Sequence, residues 1–358
     1  MTSLEEIGAE FLQFMLSFYE EFPVYKDRQL VLTGESFAGK YLSYSSRAIL
    51  DYNDQEGQDF KFDLRSLMLS NPLVDTPTER LNQPAVGWAL GFYDDGQTDQ
   101  VETLKRRCEE GRSLSWSPSE QERACKDILN YITKPIGSVD QMDASHFVYE
   151  DYIDNGSFTD LFTKSDRLDE VKSALHITKT EGFARTNSTA ANAIEDRENN
   201  AAGVYTELLA RGLNILINVG DYDMKDGVRS TLEWTKKVDF PGRETFDQQP
   251  RKVYKYLDQF DGSEKVGGWY RHHDNFSVVV VPQSGHMVPA FQPYASMQFV
   301  KNLIEKGYLY CDTEANGSCT SVASDMCKYM NDCNDNGQCN SYGKCECNAG
   351  FYGADCLT

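Results

Sequence analysis

Six cysteines crowd the last part of this chain: Cys327, Cys333, Cys339, Cys345, Cys347 and Cys356. Spacers of 5, 5, 5, 1 and 8 residues separate them. So short a segment cannot enclose an apolar core of its own, and something must staple it. Zinc sites favour paired C-x2-C spacing and often use histidine. Neither occurs here, since no histidine follows His286. Earlier in the chain, Cys108 and Cys125 are candidates to close a loop by a disulfide.

With Gly337, Gly350 and Gly353 at turn positions, the Cys327–Cys356 spacing resembles an EGF-like module. The resemblance implies pairing of first with third, second with fourth and fifth with sixth: Cys327–Cys339, Cys333–Cys345 and Cys347–Cys356. It also implies an oxidising compartment and a surface for an extracellular protein partner. Calcium-binding modules of this type usually carry an acidic pattern before the first cysteine. Asp325 matches that pattern poorly, so no metal is expected. Four N-x-S/T sequons occur, at Asn155, Asn187, Asn275 and Asn316. Asn155, Asn187 and Asn316 are carried forward as glycosylation candidates, in keeping with a protein that is secreted or held in a lysosomal or vacuolar lumen.

The remainder reads as a globular α/β domain. A net charge of −21 argues against duplex-wide phosphate binding, which needs clustered Lys and Arg. No stretch approaches the roughly 18 apolar residues of a membrane helix. Residues 4–22 predict an amphipathic, core-facing helix from Ile7, Phe11, Phe14, Met15, Phe18 and Phe22, ended by Pro23. Short apolar runs at Gln29–Thr33, Leu64–Leu69, Leu213–Val219 and Phe276–Val281 predict strands. Near-continuous apolar strands between helices imply a mostly parallel sheet with helices on both faces. The polar middle, residues 85–200, predicts a helical insertion.

The first predicted strand runs into Gly34-Glu35-Ser36-Phe37-Ala38-Gly39, followed by a helix. Strand, sharp turn carrying Ser, then helix is the nucleophile-elbow arrangement. Small residues must flank Ser36 because the strand and helix backbones approach closely. Ala38 stands where strict G-x-S-x-G has glycine. The Phe37 N–H would donate to a developing oxyanion, aided by the helix N-terminus. Elbow hydrolases order their groups Ser, Asp, His. Here Gly220-Asp221-Tyr222-Asp223 ends one strand and Ser284-Gly285-His286-Met287 follows another. His286 would take the serine proton, and Asp221 or Asp223 would hold its tautomer; the residues alone do not choose between the two. His146, His176, His272 and His273 read as surface or core residues, and Asp226 as a loop cap or solvated side chain.

GESFAGKY, NVGDYDM and SGHMVPAFQP resemble the three catalytic blocks of the serine carboxypeptidase family of α/β-hydrolases. FLQFMLSFYEEFP, VKSALHI and MVPAFQPYASMQFVKNLI resemble its flanking segments. The likeness implies an α/β-hydrolase domain over residues 1–310, a linker at 311–326 and the EGF-like module at 327–356. It implies Ser36 as nucleophile, His286 as base and Asp223 as acid, with no cofactor. Glu35 would help bind the terminal carboxylate of a peptide with a free C-terminus, and Met287 would line the leaving-residue pocket. The family also carries an upstream Gly-rich block that supplies a second oxyanion donor. Nothing like it stands between Met1 and Gln29, nor does a leader, and the N-terminal part of the fold is expected to be lacking. One lost donor typically costs about 10²–10³ in rate. Lys40 stands where the family commonly has histidine, and Ser70-Asn71-Pro72-Leu73 is a loose version of its Gly-Asn-Gly-Leu turn; both bear on substrate preference. The implied activity is removal of C-terminal residues through an acyl-enzyme. Acyl transfer to an alcohol and a catalytically impaired extracellular binding protein are the alternatives.

Overall fold

The computed structural model describes all residues except 59, 114–115, 117, 149–164, 179–186, 197, 259–260, 310–325 and 341–342. The glycosylation candidates Asn155 and Asn316, and almost all of the expected linker, therefore lie outside the described residues.

Six strands form one sheet: β1 Gln29–Glu35, β2 Asp63–Ser70, β3 Asn214–Gly220, β4 Lys252–Leu257, β5 Glu264–His273 and β6 Phe276–Val281. Their order is β1-β2-β3-β6-β5-β4. The first four in that order pair in parallel, and β5 and β4 add antiparallel to the far side of β6. The burial pattern follows the pleat. Leu67, Leu69, Ile215, Ile217 and Val278 face one apolar cluster, whereas Met68, Leu216, Val279 and Val281 face another. Both faces are covered, so the central strands are apolar at nearly every position. The first cluster takes in helix Ala202–Ala210 and the second helix Pro293–Lys306.

Helix α1, Leu4–Glu21, starts where Ser3 Oγ accepts the Glu6 N–H at 3.2 Å and ends before Pro23. It crosses α2, Ala38–Asp54, so closely that a Cβ on Gly8 would lie 2.8 Å from the Tyr44 carbonyl oxygen. Its buried side is Leu4, Gly8, Met15 and Tyr19. The predicted core face needs correction at two positions, because Phe14 is 61% and Phe22 47% exposed. The apolar stripe is wider than the surface that covers it among the described residues.

In the middle of the chain, helices Asp95–Ser113 and Pro118–Thr133 are tied by the Cys108–Cys125 disulfide. They bury Val101, Leu104, Ile128 and Ile132 in a small core of their own. At the C-terminus, disulfides Cys327–Cys339, Cys333–Cys345 and Cys347–Cys356 hold a two-stranded ribbon, β7 Gly337–Cys339 with β8 Cys345–Cys347. Cys327, Cys333, Cys345 and Cys356 are themselves the buried cluster of this segment, with Cys347 and Met330 packed against it. Gly350 and Gly353 turn with φ of 96° and 97°. No helix among the described residues is long and apolar enough to cross a membrane.

Candidate active site

Ser36 stands between the end of β1 and the start of α2 with φ of 59°, a left-handed backbone that few non-glycine residues adopt. The turn is held from three sides. The Ser36 N–H donates to Ser70 O at 3.1 Å, and Ser36 O accepts from Gly39 N at 2.9 Å and Leu73 N at 2.8 Å. A Cβ on Gly34 would lie 2.5 Å from Ala38 Cβ and 2.7 Å from Leu42 Cδ1. Both small residues of the elbow are thus in mutual contact, and alanine two after the serine is tolerated because glycine two before it leaves the room. Gly34→Ala is expected to cost about 1–3 kcal/mol through overpacking, read as a lowered unfolding midpoint.

Asp223 and His286, the expected acid and base, follow the ends of neighbouring strands β3 and β6. Those ends approach closely at Gly220, where a Cβ would lie 2.3 Å from both Ser284 O and Gly285 O. His286 Nδ1 lies 2.7 Å from Asp223 Oδ2, and both side chains are buried. Asp223 Oδ2 also accepts from Asn71 Nδ2, while Oδ1 accepts from Lys225 N at 2.8 Å. Asp221 turns elsewhere and accepts the Ser284 N–H at 3.2 Å, an arrangement that holds the base loop rather than the imidazole. Burial raises the Asp221 carboxyl above its ordinary value.

Several contributors escape a reading by motif. Asn71, with φ of 41°, donates to Asp223 and accepts the Gly220 N–H at 2.8 Å, so one amide orients the acid and the loop that carries it. The segment after helix 118–133 straps the loops of Asp223 and His286 together. Gln141 O accepts from Met224 N at 3.1 Å, Met142 O from the His286 N–H at 2.6 Å and Tyr222 O from Ala144 N at 2.9 Å. Asp226 is not solvated, contrary to the sequence expectation. It is 4% exposed, and its Oδ2 lies 3.9 Å from His286 Nδ1.

Burial opposes charge on the imidazole, but the carboxylates of Asp223, Asp226 and Glu35 outweigh it and raise His286 to about 9. Glu35 is half-buried, and desolvation raises its carboxyl, with the Asp223 charge adding to the rise and His286 opposing it. Phe37 and Met287 flank the turn and the base loop, both half-buried. A cleft of about 420 Å³ opens beside Glu35 between Met68, Pro289, Met297 and Val300, but Ser36 and His286 do not line it.

Lys40 does not face a substrate. It is fully buried, and its Nζ donates to Thr76 Oγ1 at 2.8 Å and to Asn199 O at 2.7 Å. Burial lowers it to about 8 despite the nearby acids Glu198, Glu79 and Asp75. Of the remaining histidines, His146 pairs with Asp143, His272 bonds Ser277 and His273 pairs with Asp274. His176 is an exposed residue of left-handed backbone after helix Ser165–Ala174. Asn187 is exposed and caps helix Ser188–Asn192, whereas Asn275 spends its amide on Leu209 O and Leu213 O.

The serine carboxypeptidase family model matches residues 1–306, which is most of the chain. The chain belongs to the serine carboxypeptidase family. Residues 327–356 match the EGF-like domain. Among relatives of this carboxypeptidase family member, serine carboxypeptidase-like 29 of Arabidopsis thaliana is 28% identical over 90% of this chain and 66% of its own length. A probable serine carboxypeptidase CPVL of Dictyostelium discoideum is 25% identical over 84% of this chain and 58% of its own. The chain thus spans about three-fifths of the length of such relatives. The crystal structure of a prohormone-processing carboxypeptidase from Saccharomyces cerevisiae superposes with a TM-score of 0.72 at 19% identity, covering 89% of this chain and 70% of that one. That likeness establishes the α/β-hydrolase fold of this family member.

Proposed function

We propose that this protein is a serine-type carboxypeptidase acting on peptides with a free C-terminus. Ser36 attacks the last peptide carbonyl, His286 takes its proton and returns it to the leaving amine, and Asp223 holds the imidazole tautomer and offsets its charge. The Phe37 N–H, at the mouth of α2, receives the developing oxyanion. Met287 borders the departing residue.

One observation supports the exopeptidase reading above other serine hydrolases: a carboxyl with a raised pKa, Glu35, stands within electrostatic reach of His286, next to the nucleophile in sequence. Two carboxyls approach closely when one holds a proton. A protonated Glu35 can donate to a substrate carboxylate, whereas an ionised one repels it. The sign follows. Binding of a free-acid peptide should weaken as pH rises through the raised pKa of Glu35, seen as an increase in KM, while the matching C-terminal amide lacks this dependence and is the poorer substrate. Equal cleavage of acid and amide at every pH would remove the exopeptidase assignment. Disulfide-held cysteines, N-x-S/T sequons and the EGF-like module support a secreted or lumenal setting, with a protein partner engaging that module.

A further inference from the structure

We propose that Asp226, sharing one proton with Glu79, is a second positioning acid for the His286 imidazole, acting beside Asp223. The inference rests on His286 being the general base of the proposed reaction.

The geometry begins with Glu79 on helix Thr76–Asn82, a glutamate with no exposed surface. Its Oε1 accepts two backbone N–H groups, from Val74 at 2.7 Å and Asp75 at 2.9 Å. Its Oε2 is buried, and no N–H or O–H among the described residues reaches it. The group it meets is the carboxyl of Asp226, itself buried. Two carboxylates in such a place repel, and Glu79 Oε2 would be left without a donor. One proton on Glu79 Oε2 settles both deficits. It turns the orphaned oxygen into a donor toward Asp226 and leaves a single negative charge on the pair.

That charge has a direction. Asp226 also reaches His286, with Oδ2 3.9 Å from Nδ1, the nitrogen that Asp223 Oδ2 contacts at 2.7 Å. Asp223 makes the hydrogen bond, while Asp226 adds charge at the same edge of the ring. The other charged groups around Asp226 are Asp223 and Lys225 on its own loop and Arg80 on the helix that carries Glu79. Around Glu79 the further groups are Lys40 from α2 and the buried Tyr205 hydroxyl, and Glu35 approaches the imidazole from β1. The two cations act on Asp226 from outside the pair, and the neutral Glu79 adds no repulsion. When His286 takes the serine proton, the imidazolium therefore faces the charge of Asp226 in addition to that of Asp223.

The test follows the His286 imidazole by NMR titration in the resting full chain, so that it does not depend on turnover. Asp226→Asn, which keeps the shape and removes the charge, should lower the His286 pKa by about a unit or more, a tenfold change in its protonation constant. Glu79→Gln, the neutral isostere of a protonated acid, should leave that pKa where it is, whatever it does to catalysis. Thermal unfolding checks that each variant is folded, and Asp226→Ser carries the same expectation should Asp226→Asn not fold. An unmoved pKa in the charge-removing variants overturns the proposal. So does a fall in Glu79→Gln as large as that in Asp226→Asn, which would make Glu79 the ionised partner. A protein that shows the expected shifts but cleaves no peptide would leave this acid pair standing and remove the carboxypeptidase reading instead.

Discussion

Ser36→Ala is expected to abolish covalent labelling by a fluorophosphonate probe and to lower kcat by about 10⁶-fold, the scale at which loss of the nucleophile leaves serine proteases. The physical reason is local. The serine oxygen is carried on a turn whose backbone is left-handed and pinned by Ser70, Gly39 and Leu73, so the backbone itself fixes where that oxygen stands. Alanine keeps the Cβ and every backbone bond of that turn. The variant should therefore unfold at the same temperature as the parent, and the loss can be assigned to chemistry. Labelling that persists in a folded Ser36→Ala protein would take Ser36 out of the mechanism altogether.

The parts of the fold that were legible in the sequence share a physical cause. β2, β3 and β6 lie inside the sheet, and burial on two faces makes their central residues near-continuous apolar runs, whereas β1 stands at the sheet edge with Leu32 its buried residue and is marked by the elbow that follows it. β4 and β5 carry no such signal. Lys252, Leu257, Glu264, Lys265 and Val266 are exposed, and the Gly267-Gly268 pair breaks β5 where the register shifts against β4. In α1 the 3.6-residue period marks an apolar stripe correctly but cannot say how much of it is covered, which is why Phe14 and Phe22 end exposed. The site divides in the same way. Ser36 and His286 stand in local motifs whose chemistry is readable. Asn71, the Gln141–Ala144 strap and Glu79 act through contacts between segments far apart in the chain, and nothing local distinguishes them from ordinary turn or helix residues. Lys40 stands where the family commonly has histidine, which in the sequence bears on substrate preference. One turn into α2, however, the side chain points at Thr76 and the Asn199 carbonyl.

The sequence alone does not choose between Asp221 and Asp223 as the acid, and the two exchanges differ by the second large effect. Asp223→Asn is expected to lower kcat by about 10⁴-fold, as the same exchange does in Ser-His-Asp proteases. Two donors converge on Asp223 Oδ2, the His286 Nδ1–H and the Asn71 amide. An asparagine can present only one oxygen to them. If that oxygen serves the imidazole, the new NH2 meets the backbone N–H groups of Lys225 and Asp226 that the other carboxylate oxygen accepted, at 2.8 and 3.3 Å. If it serves those N–H groups, an NH2 faces both Asn71 and His286 and favours the wrong imidazole tautomer. Either arrangement also removes the charge that offsets the imidazolium. Asp221→Asn poses no such conflict, because its oxygen can still accept the Ser284 N–H. Its effect on kcat should stay within about tenfold, the scale of a single neutral hydrogen bond made weaker. Steady-state kinetics on both variants, paired with unfolding midpoints, decides the matter: a severe defect in Asp221→Asn beside a mild one in Asp223→Asn would move the acid to the earlier position and leave the buried contact between Asp223 and His286 without a catalytic role.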